Sequence, residues 1–327
     1  MEWSDRIGRR IKLRDLHVLL AVVQQGSIAK TAKHLAISQP VVSKVIADLE
    51  HVLGVRLLDR DRHGAKPTIY GEALLKHGIV VFDELKQSVK SIEFLTDPTA
   101  GDLRIGCLNA MAAGLLPVVI SQLHRRHPRL SFHVVQANSV AALYRVLRER
   151  NVDLILGRTV KPFVEDDLNS DVLFTDSFLI VAGHRNRWIG RRKIELANLI
   201  HEPWLLPPMG TTGEGIVLET FRACGLETPR RGVVCTSIQV QNTLLASGPY
   251  LAMWPAFVVR FGGKHPSIKV LPVKLPLVPA PVAIITLKAR TISPVARLFI
   301  DCVREVTKAM AGTSGGRTAY RKRPIVS

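Results

Sequence analysis

The most constraining feature of this 327-residue chain is a pair of short helical patterns joined by a tight turn, between residues 28 and 54. Ser27 and Ser38 are suited to N-cap the two helices, and Pro40 fits the first turn of the second helix. Gly54 is placed to end it. Apolar residues recur at helical spacing in both segments: Ile28, Ala32, Leu35, then Val42, Val45, Ile46, Leu49 and Leu53. The pattern predicts two packed helices with a narrow turn between them.

The first turns of the second helix carry small polar and basic side chains: Ser38, Gln39, Pro40, Ser43 and Lys44. In a helix-turn-helix these turns enter the major groove of DNA. Gln39 can bond an adenine edge, and Pro40 can face a thymine methyl. Ser43 can donate to a phosphate or a base, and Lys44 can reach guanine acceptors or phosphate. Lys30, on the preceding helix, is placed to neutralise a phosphate. The alternative is a solvated polar face on a small α-hairpin.

The segment after this helix predicts a short β-hairpin. Residues 55–60 alternate between apolar and polar side chains, and residues 63–67 have the composition of a basic turn. A short hairpin behind a recognition helix is a wing. Its cations Arg60, Arg62 and Lys66 would lie beside the phosphate backbone.

Residues 11–71 resemble the N-terminal domain of LysR-type transcriptional regulators. The resemblance rests on the order and spacing of Leu13-Arg14-Asp15-Leu16, Gly26-Ser27-Ile28, Ser38-Gln39-Pro40, Ser43-Lys44, Leu53 to Arg60, Pro67-Thr68 and Gly71. It implies a winged helix-turn-helix over residues 1–68 that binds double-stranded promoter DNA. Lys44 stands where the family usually has arginine, so the bidentate fork that recognises guanine is absent there.

Residues 69–95 predict one long helix of about 27 residues, or about 40 Å. Its apolar residues fall at heptad a and d positions, with Gly78 at the remaining d: Leu75, Phe82, Leu85, Val89 and Ile92. The resemblance implies that the segment 69–97 is a linker helix that dimerises. Packing of the apolar seam on its own chain is the alternative.

After residues 97–101 the chain alternates between strand-like and helix-like segments up to a closing helix at 293–310. This alternation predicts a mostly parallel sheet with helices on both faces. The resemblance implies an α/β effector-binding domain over 98–311 that is similar to periplasmic binding proteins. Lobe one would comprise 101–157 and 272–311, and lobe two 158–271. The fold class is therefore α/β multidomain: a winged helix-turn-helix, a long linker helix and a two-lobed domain.

Ligands of open α/β sheets bind beyond the carboxyl ends of strands, where helix N-termini supply N–H groups. This rule nominates Leu108, Asn109, Ala110, Gln136, Arg158, Thr211, Thr212 and Ser237. Such donors suit a carboxylate or a hydroxylated small molecule. Ala110 stands where many family members have a serine or threonine that contacts the effector. Either Asn109 replaces that hydroxyl or the effector is sugar-like; the loop 207–211 resembles the subgroup that regulates sugar-binding proteins.

The charge of the chain, 45 basic minus 27 acidic residues or +18, favours an anionic partner such as nucleic acid or an acidic membrane surface. No apolar run approaches a membrane span, and the charged N-terminus does not fit a signal peptide, so we expect a cytoplasmic protein. Residues 312–327 are expected to form a disordered basic tail.

No catalytic signature or metal-ligand spacing is found, and the four cysteines show no CxxC pair. Cys107, at a strand end, is expected to be a core residue and not a nucleophile. We therefore expect a regulator that is not an enzyme and that uses no cofactor beyond a small-molecule effector. The resemblance implies a homodimer or homotetramer and makes RNA polymerase a candidate partner. The alternative is a cytoplasmic small-molecule-binding protein without specific DNA binding.

Overall fold

The computed structural model describes residues 10–61, 64–159, 163–263, 266–276, 278 and 280–311. Two compact units divide between Val89 and Lys90, and each is considered by itself. None of the helices in the described ranges combines the length and apolar character that a bilayer crossing requires.

The N-terminal unit is a small helical bundle with a hairpin. Its elements are α1 (Leu13–Gln25), α2 (Ile28–His34), α3 (Gln39–Leu53), β1 (Leu58–Asp61), β2 (Gly64–Pro67) and the first part of α4 (Ile69–Thr96). The predicted apolar faces of α2 and α3 meet α1 in one core. Ser27 and Ser38 occupy the N-cap positions, and Gly54 ends α3 with a left-handed φ of 73°. The two-helix prediction is thus confirmed with its boundaries.

The wing is a two-stranded antiparallel hairpin in which Arg60 lies opposite Ala65. The carboxylate of Glu50, on α3, accepts hydrogen bonds from the backbone N–H groups of Leu57 (2.8 Å) and Leu58 (3.2 Å). These bonds fix the start of the hairpin to the recognition helix. The predicted hairpin is confirmed, but residues 64–67, predicted as part of its basic turn, pair with β1 as its second strand.

Helix α4 runs for 28 residues, close to the predicted length. At its N-terminal end Leu75 packs into the bundle core, and the Phe82 ring meets the edge of His17 at 6.0 Å between centroids. Further along, Leu85, Val89 and Ile92 are 46 %, 53 % and 64 % exposed. The seam is therefore covered in its first turns and open to solvent in its later turns.

The C-terminal unit contains two five-stranded sheets. Sheet one has the strand order β4 (Arg129–Gln136), β3 (Ala100–Cys107), β5 (Leu154–Arg158), β12 (Ala280–Leu287), β6 (Leu168–Asp176). Sheet two has the order β11 (Ile268–Val270), β7 (Phe178–Gly183), β10 (Leu251–Pro255), β8 (Trp204–Leu206), β9 (Arg231–Val234). The helices are α5 (Asn109–Ala113), α6 (Leu115–Arg126), α7 (Val140–Arg148), α8 (Thr212–Ala223), α9 (Ile238–Ser247), α10 (Ala256–Phe261) and α11 (Pro294–Ala311).

The prediction of a mostly parallel sheet is wrong. The β3 strand is parallel to β4 and β5, whereas β12 is antiparallel to β5 and to β6. Sheet two is mixed in the same way, since β7 is antiparallel to both of its neighbours. The antiparallel pairs arise where the chain passes from one sheet to the other and returns.

The first crossing between the lobes was also predicted wrongly. Lobe two was expected to begin at Arg158, but β6 returns to sheet one and pairs with β12 along its whole length. The crossing therefore falls at Ser177, between β6 and β7. The return crossing lies between β11 and β12, where it was expected. Lobe one thus extends to Asp176, and lobe two begins at Phe178.

Candidate DNA-binding surface and inter-lobe site

The predicted base-reading residues lie together on the surface of the first turns of α3. Ser38, Gln39, Pro40 and Lys44 are exposed, and Ser43 is half-buried. The Ser38 hydroxyl makes no capping bond, so it is available to a ligand. The first turn holds no acidic side chain, so the positive end of the helix dipole favours an approaching phosphate.

Two local features hold this surface in place. Thr31, fully buried, donates its hydroxyl to the carbonyl oxygens of Ser27 (2.8 Å) and Ala21 (3.3 Å), which ties α2 to α1. Ala36 adopts a left-handed φ of 53°, and this reverses the chain between α2 and α3. Thr31 thus has a structural role inside the motif.

Flanking cations complete the surface. Lys30 on α2 and Arg60 on the wing are exposed, as predicted, and Lys66 is exposed opposite Asp59 on the neighbouring strand. Arg62, predicted to contact phosphate, lies outside the described residues.

The two lobes of the C-terminal unit are joined by Asn109, at the start of α5. Its Oδ1 accepts a hydrogen bond from the backbone N–H of Ile238 (2.8 Å), the first residue of α9 in lobe two. Its Nδ2 lies 3.5 Å from Oε1 of Gln136, at the end of β4. The structure therefore brings together Asn109, Gln136 and the helix opened by Ser237, as the strand-end rule predicted. We call these three residues, with Ile238, the inter-lobe site.

A buried chain of hydrogen bonds supports the lobe-two side of this site. Ser237 caps α9 by accepting from the N–H of Val240 (3.3 Å). Gln241, one turn into the helix, donates to the carbonyl of Cys235 (3.1 Å) and accepts from the indole N–H of Trp254 (2.6 Å). Sequence reasoning missed Gln241, although a lone amide on the apolar face of a helix signals a buried hydrogen-bond partner.

The other nominated residues have local partners. Thr211 donates its hydroxyl to the carbonyl of Pro208 (2.8 Å) and accepts from the N–H of Glu214 (3.2 Å), so the cap of α8 uses both functions of the hydroxyl. Thr212 is the first residue of α8. Leu108 N-caps α5, and Ala110 packs on the lobe core.

Arg158 lies buried at the crossing between the lobes. Its Nη2 donates to Oδ2 of Asp176 (2.9 Å), and its guanidinium stacks 4.5 Å from the centre of the Phe178 ring and 5.5 Å from that of Phe257. The side chain is 8 % exposed, and its Nη1 has no hydrogen-bond partner among the described residues. Arg158 is thus an internal residue held by an acid that the sequence analysis did not identify.

Burial dominates the ionisation of this pair. It raises the pKa of Asp176 to about 6, although Arg158 and the N–H groups of Ser177 and Phe257 act to lower it. Burial also lowers the pKa of Arg158, against the attraction of Asp176. Both shifts mean that removing the two charges from water costs more than their mutual attraction returns.

Cys107 does not have the properties of a catalytic nucleophile. Burial raises the pKa of the Cys107 thiol to about 11, so this residue remains protonated and unreactive. In the described part of the chain no group of histidine, cysteine, aspartate and glutamate side chains is arranged to hold a metal ion.

Comparison with known families gives a direct result. Residues 13–72 match the model described as bacterial regulatory helix-turn-helix protein, lysR family, and residues 96–308 match the LysR substrate binding domain. The chain belongs to the LysR family of transcriptional regulators. Its members are DNA-binding regulators and not enzymes, which confirms the family prediction and disfavours a binding protein without DNA recognition.

Relatives and solved structures agree with this assignment. The chain is 28 % identical over 305 residues to the regulator YdcI of Escherichia coli, covering 93 % of this chain and 99 % of the relative. It is 28 % identical over 300 residues to GbpR of Azospirillum brasilense, covering 90 % and 86 %. Its fold is similar to full-length OxyR from Pseudomonas aeruginosa (TM-score 0.66, 23 % identity, covering 90 % and 95 %). It is also similar to full-length CbnR bound to its target DNA (TM-score 0.61, 20 % identity, covering 90 % and 99 %).

The Arg158–Asp176 pair predicts a specific pH dependence. The folded-state pKa of Asp176 exceeds its ordinary value of 3.8, so the folded chain binds more protons than the unfolded chain between pH 3.8 and about 6. This group therefore lowers the free energy of unfolding as pH rises through that window. Arg158→Met should cost roughly 3–5 kcal/mol at pH 8, where the charged Asp176 loses its cationic partner, and less at pH 5.

Chemical denaturation across this pH range measures the effect. The double variant Arg158→Met/Asp176→Leu should recover most of the loss, because no unpaired charge remains buried. Arg126→Met, which breaks the exposed pair with Glu305, is the control and should leave stability nearly unchanged. A loss in Arg158→Met that is the same at pH 5 and pH 8 would contradict the assigned ionisation.

Proposed function

We propose that this LysR-family regulator recognises operator DNA through the first turns of α3 and is switched by a small polar molecule at the inter-lobe site. The observation that carries the proposal is the exposed set Ser38, Gln39, Pro40 and Lys44 at a helix start without acidic side chains. This surface presents base-reading groups at the positive end of the helix dipole.

Each exposed residue has a role that follows from its chemistry. Gln39 is proposed to bond an adenine edge, and Pro40 to contact a thymine methyl. Ser38 and Ser43 offer hydroxyls to phosphate or base. Lys44, Lys30, Arg60 and Lys66 are proposed as phosphate contacts; Lys44 is a point charge and not a planar fork.

Two substitutions separate base recognition from phosphate binding. Gln39→Ala should lose about 1–3 kcal/mol of discrimination at one base pair. Lys30→Ala should weaken binding to all duplexes similarly and reduce the slope of log K against log salt by about 1. Affinities for operators selected from random duplexes, measured over a salt series, test both.

Lys193→Ala removes an exposed lysine from the C-terminal unit and serves as the charge-matched control. It should leave both quantities unchanged. The assignment fails if Gln39→Ala weakens all base pairs equally, or if Lys30→Ala alters sequence preference.

The inter-lobe site indicates the chemistry of the effector. Asn109 Oδ1 accepts the hydrogen bond from the N–H of Ile238, at the positive end of α9. A ligand oxygen would be stabilised at the same place by the helix dipole. We propose that a carboxylate or hydroxyl oxygen of the effector takes this place, with the Asn109 amide turned to contact the ligand. Ala110 supplies no hydroxyl, so recognition relies on Asn109 and Gln136. Whether the ligand is sugar-like stays a prediction.

A ligand screen tests this chemistry. Full-length protein in a thermal-shift assay should respond to a subset of small carboxylates or polyols, with a rise in Tm that follows ligand concentration. In Asn109→Leu the affinity for the same compound should fall by roughly tenfold, as expected for one lost hydrogen bond. Asn198→Leu, an exposed lobe-two substitution, should bind normally. Equal affinity of Asn109→Leu and wild type would contradict the role of Asn109.

We also propose that a second copy of the chain covers the exposed face of α4. Val81, Leu85, Val89 and Ile92 lie at helical spacing along this face and are exposed by 41 % to 64 %. Pairing of two α4 helices would bury this seam and give a homodimer, and two dimers a homotetramer. Recognition helices would then meet half-sites about one DNA turn apart. Such an assembly would act in the cytoplasm and could present a surface to RNA polymerase.

A charge placed in the seam tests the dimer. Leu85→Glu should shift the protein towards monomer, because two carboxylates would be buried at the helix interface. Lys86→Glu, on the adjacent exposed position, is the control and should keep the wild-type mass. Light scattering coupled to size-exclusion chromatography measures the change. A Leu85→Glu protein with the wild-type mass at low micromolar concentration would exclude this interface.

A further inference from the structure

An ionic cluster, buried except for the half-exposed Asp102, lies where the end of helix α4 meets lobe one. Asp153, directly before β5, is 8 % exposed and accepts from Arg290 Nη2 through Oδ1 (2.9 Å). Lys90 Nζ, on α4, lies 3.0 Å from Asp102 Oδ2 and 3.7 Å from Asp153 Oδ2. Arg290 and Lys90 are only 6 % and 11 % exposed. We call these four residues the Asp153 cluster.

Asp153 is also tied to the neighbouring strand through the backbone. Its Oδ2 accepts from the N–H of Arg104 (2.8 Å), and its own N–H donates to the carbonyl of Arg104 (2.8 Å). Arg290 donates a second bond to the carbonyl of Val152 (2.7 Å). One carboxylate thus connects helix α4, strand β3, strand β5 and the turn after β12.

The same three strands meet the inter-lobe region at their other ends. The β3 strand (Ala100–Cys107) carries Asp102 near its start, and Asn109 follows its end after one residue. The β5 strand runs from Leu154 to Arg158 at the crossing, where its partner β12 has Val282 opposite Arg158. Paired strands in a buried sheet shift as one body, because their ladder of hydrogen bonds resists sliding. The Asp153 cluster and the inter-lobe site therefore lie at opposite ends of one rigid element.

We propose that Lys90, Asp153 and Arg290 are positioning residues that set the direction in which α4 leaves lobe one. A movement of lobe one against lobe two would then change the direction of the helix. Lys90 is the contact on the helix side, and Asp153 is the contact on the strand side. We call this attachment of α4 to lobe one the joint. Its biological role rests on the proposed effector switch, whereas the attachment itself is tested without any ligand.

Hydrogen exchange of the full-length protein tests the attachment. Lys90→Met keeps the aliphatic stem and removes the ammonium, so amides of residues 90–97 should exchange roughly tenfold faster, as expected when a charge-assisted hydrogen bond is lost. Peptides from β3 and β5 should keep wild-type exchange, which separates local release from unfolding. Lys90→Arg should restore protection. Arg126→Met breaks an exposed pair elsewhere in the same lobe and is the control.

Operator geometry supplies a readout that a merely structural role would not change. Lys90→Met and Asp102→Asn, bound to the selected operator without added ligand, should show a DNA bend angle and footprint that differ from wild type, while Arg126→Met should match wild type. Unchanged exchange at 90–97 overturns the joint. Faster exchange with a wild-type bend and footprint overturns its positioning role. Altered geometry in the variants, with no compound binding to wild type, would contradict the effector proposal but support the joint.

Discussion

The buried pair of Arg158 and Asp176 holds the crossing between the two lobes, and neither charge can be removed without the other. It lies where β6 leaves sheet one for sheet two, and it joins the ends of β5 and β6 under the rings of Phe178 and Phe257. Two charges in such surroundings persist only because each neutralises the other. The pair therefore holds the crossing in place. The hydrogen bond from Ile238 to Asn109 is the contact between the lobes that we propose the effector replaces.

The proposed effector switch depends on the difference in strength between these two contacts. A bond between an amide oxygen and one helix N–H is worth little in free energy, so a ligand oxygen can replace it. The buried pair at the crossing costs far more to disrupt, so the lobes can shift without separating. A ligand changes the population of two states only by its differential affinity for them, so the proposed switch requires a ligand that binds the inter-lobe site more tightly in one arrangement of the lobes than in the other.

Much of this arrangement could be predicted from the sequence, and the exceptions have physical causes. The helix-turn-helix was predicted well because caps, a turn and apolar spacing agree locally. Strand β6 was missed because its run of Asn169, Ser170 and Asp171 is polar, as suits an edge strand with one solvated face. Missing it displaced the first crossing to Arg158. The strand-end rule found Asn109 and Gln136, but it could not show that the Thr211 hydroxyl is used within its own helix cap.

Glu50 gives the N-terminal unit a property of its own. By accepting the N–H groups of Leu57 and Leu58, it fastens the wing to the same helix that carries the proposed base-reading residues. The proposed DNA contacts of α3 and of the wing are therefore held at a fixed distance from each other, and one set cannot move without the other. Evolution can change the sequence that this unit prefers by exchanging side chains at the start of α3, while the spacing between groove and flanking phosphates stays constant. We therefore expect regulators built this way to differ in the base sequence that they prefer and to cover the same length of DNA.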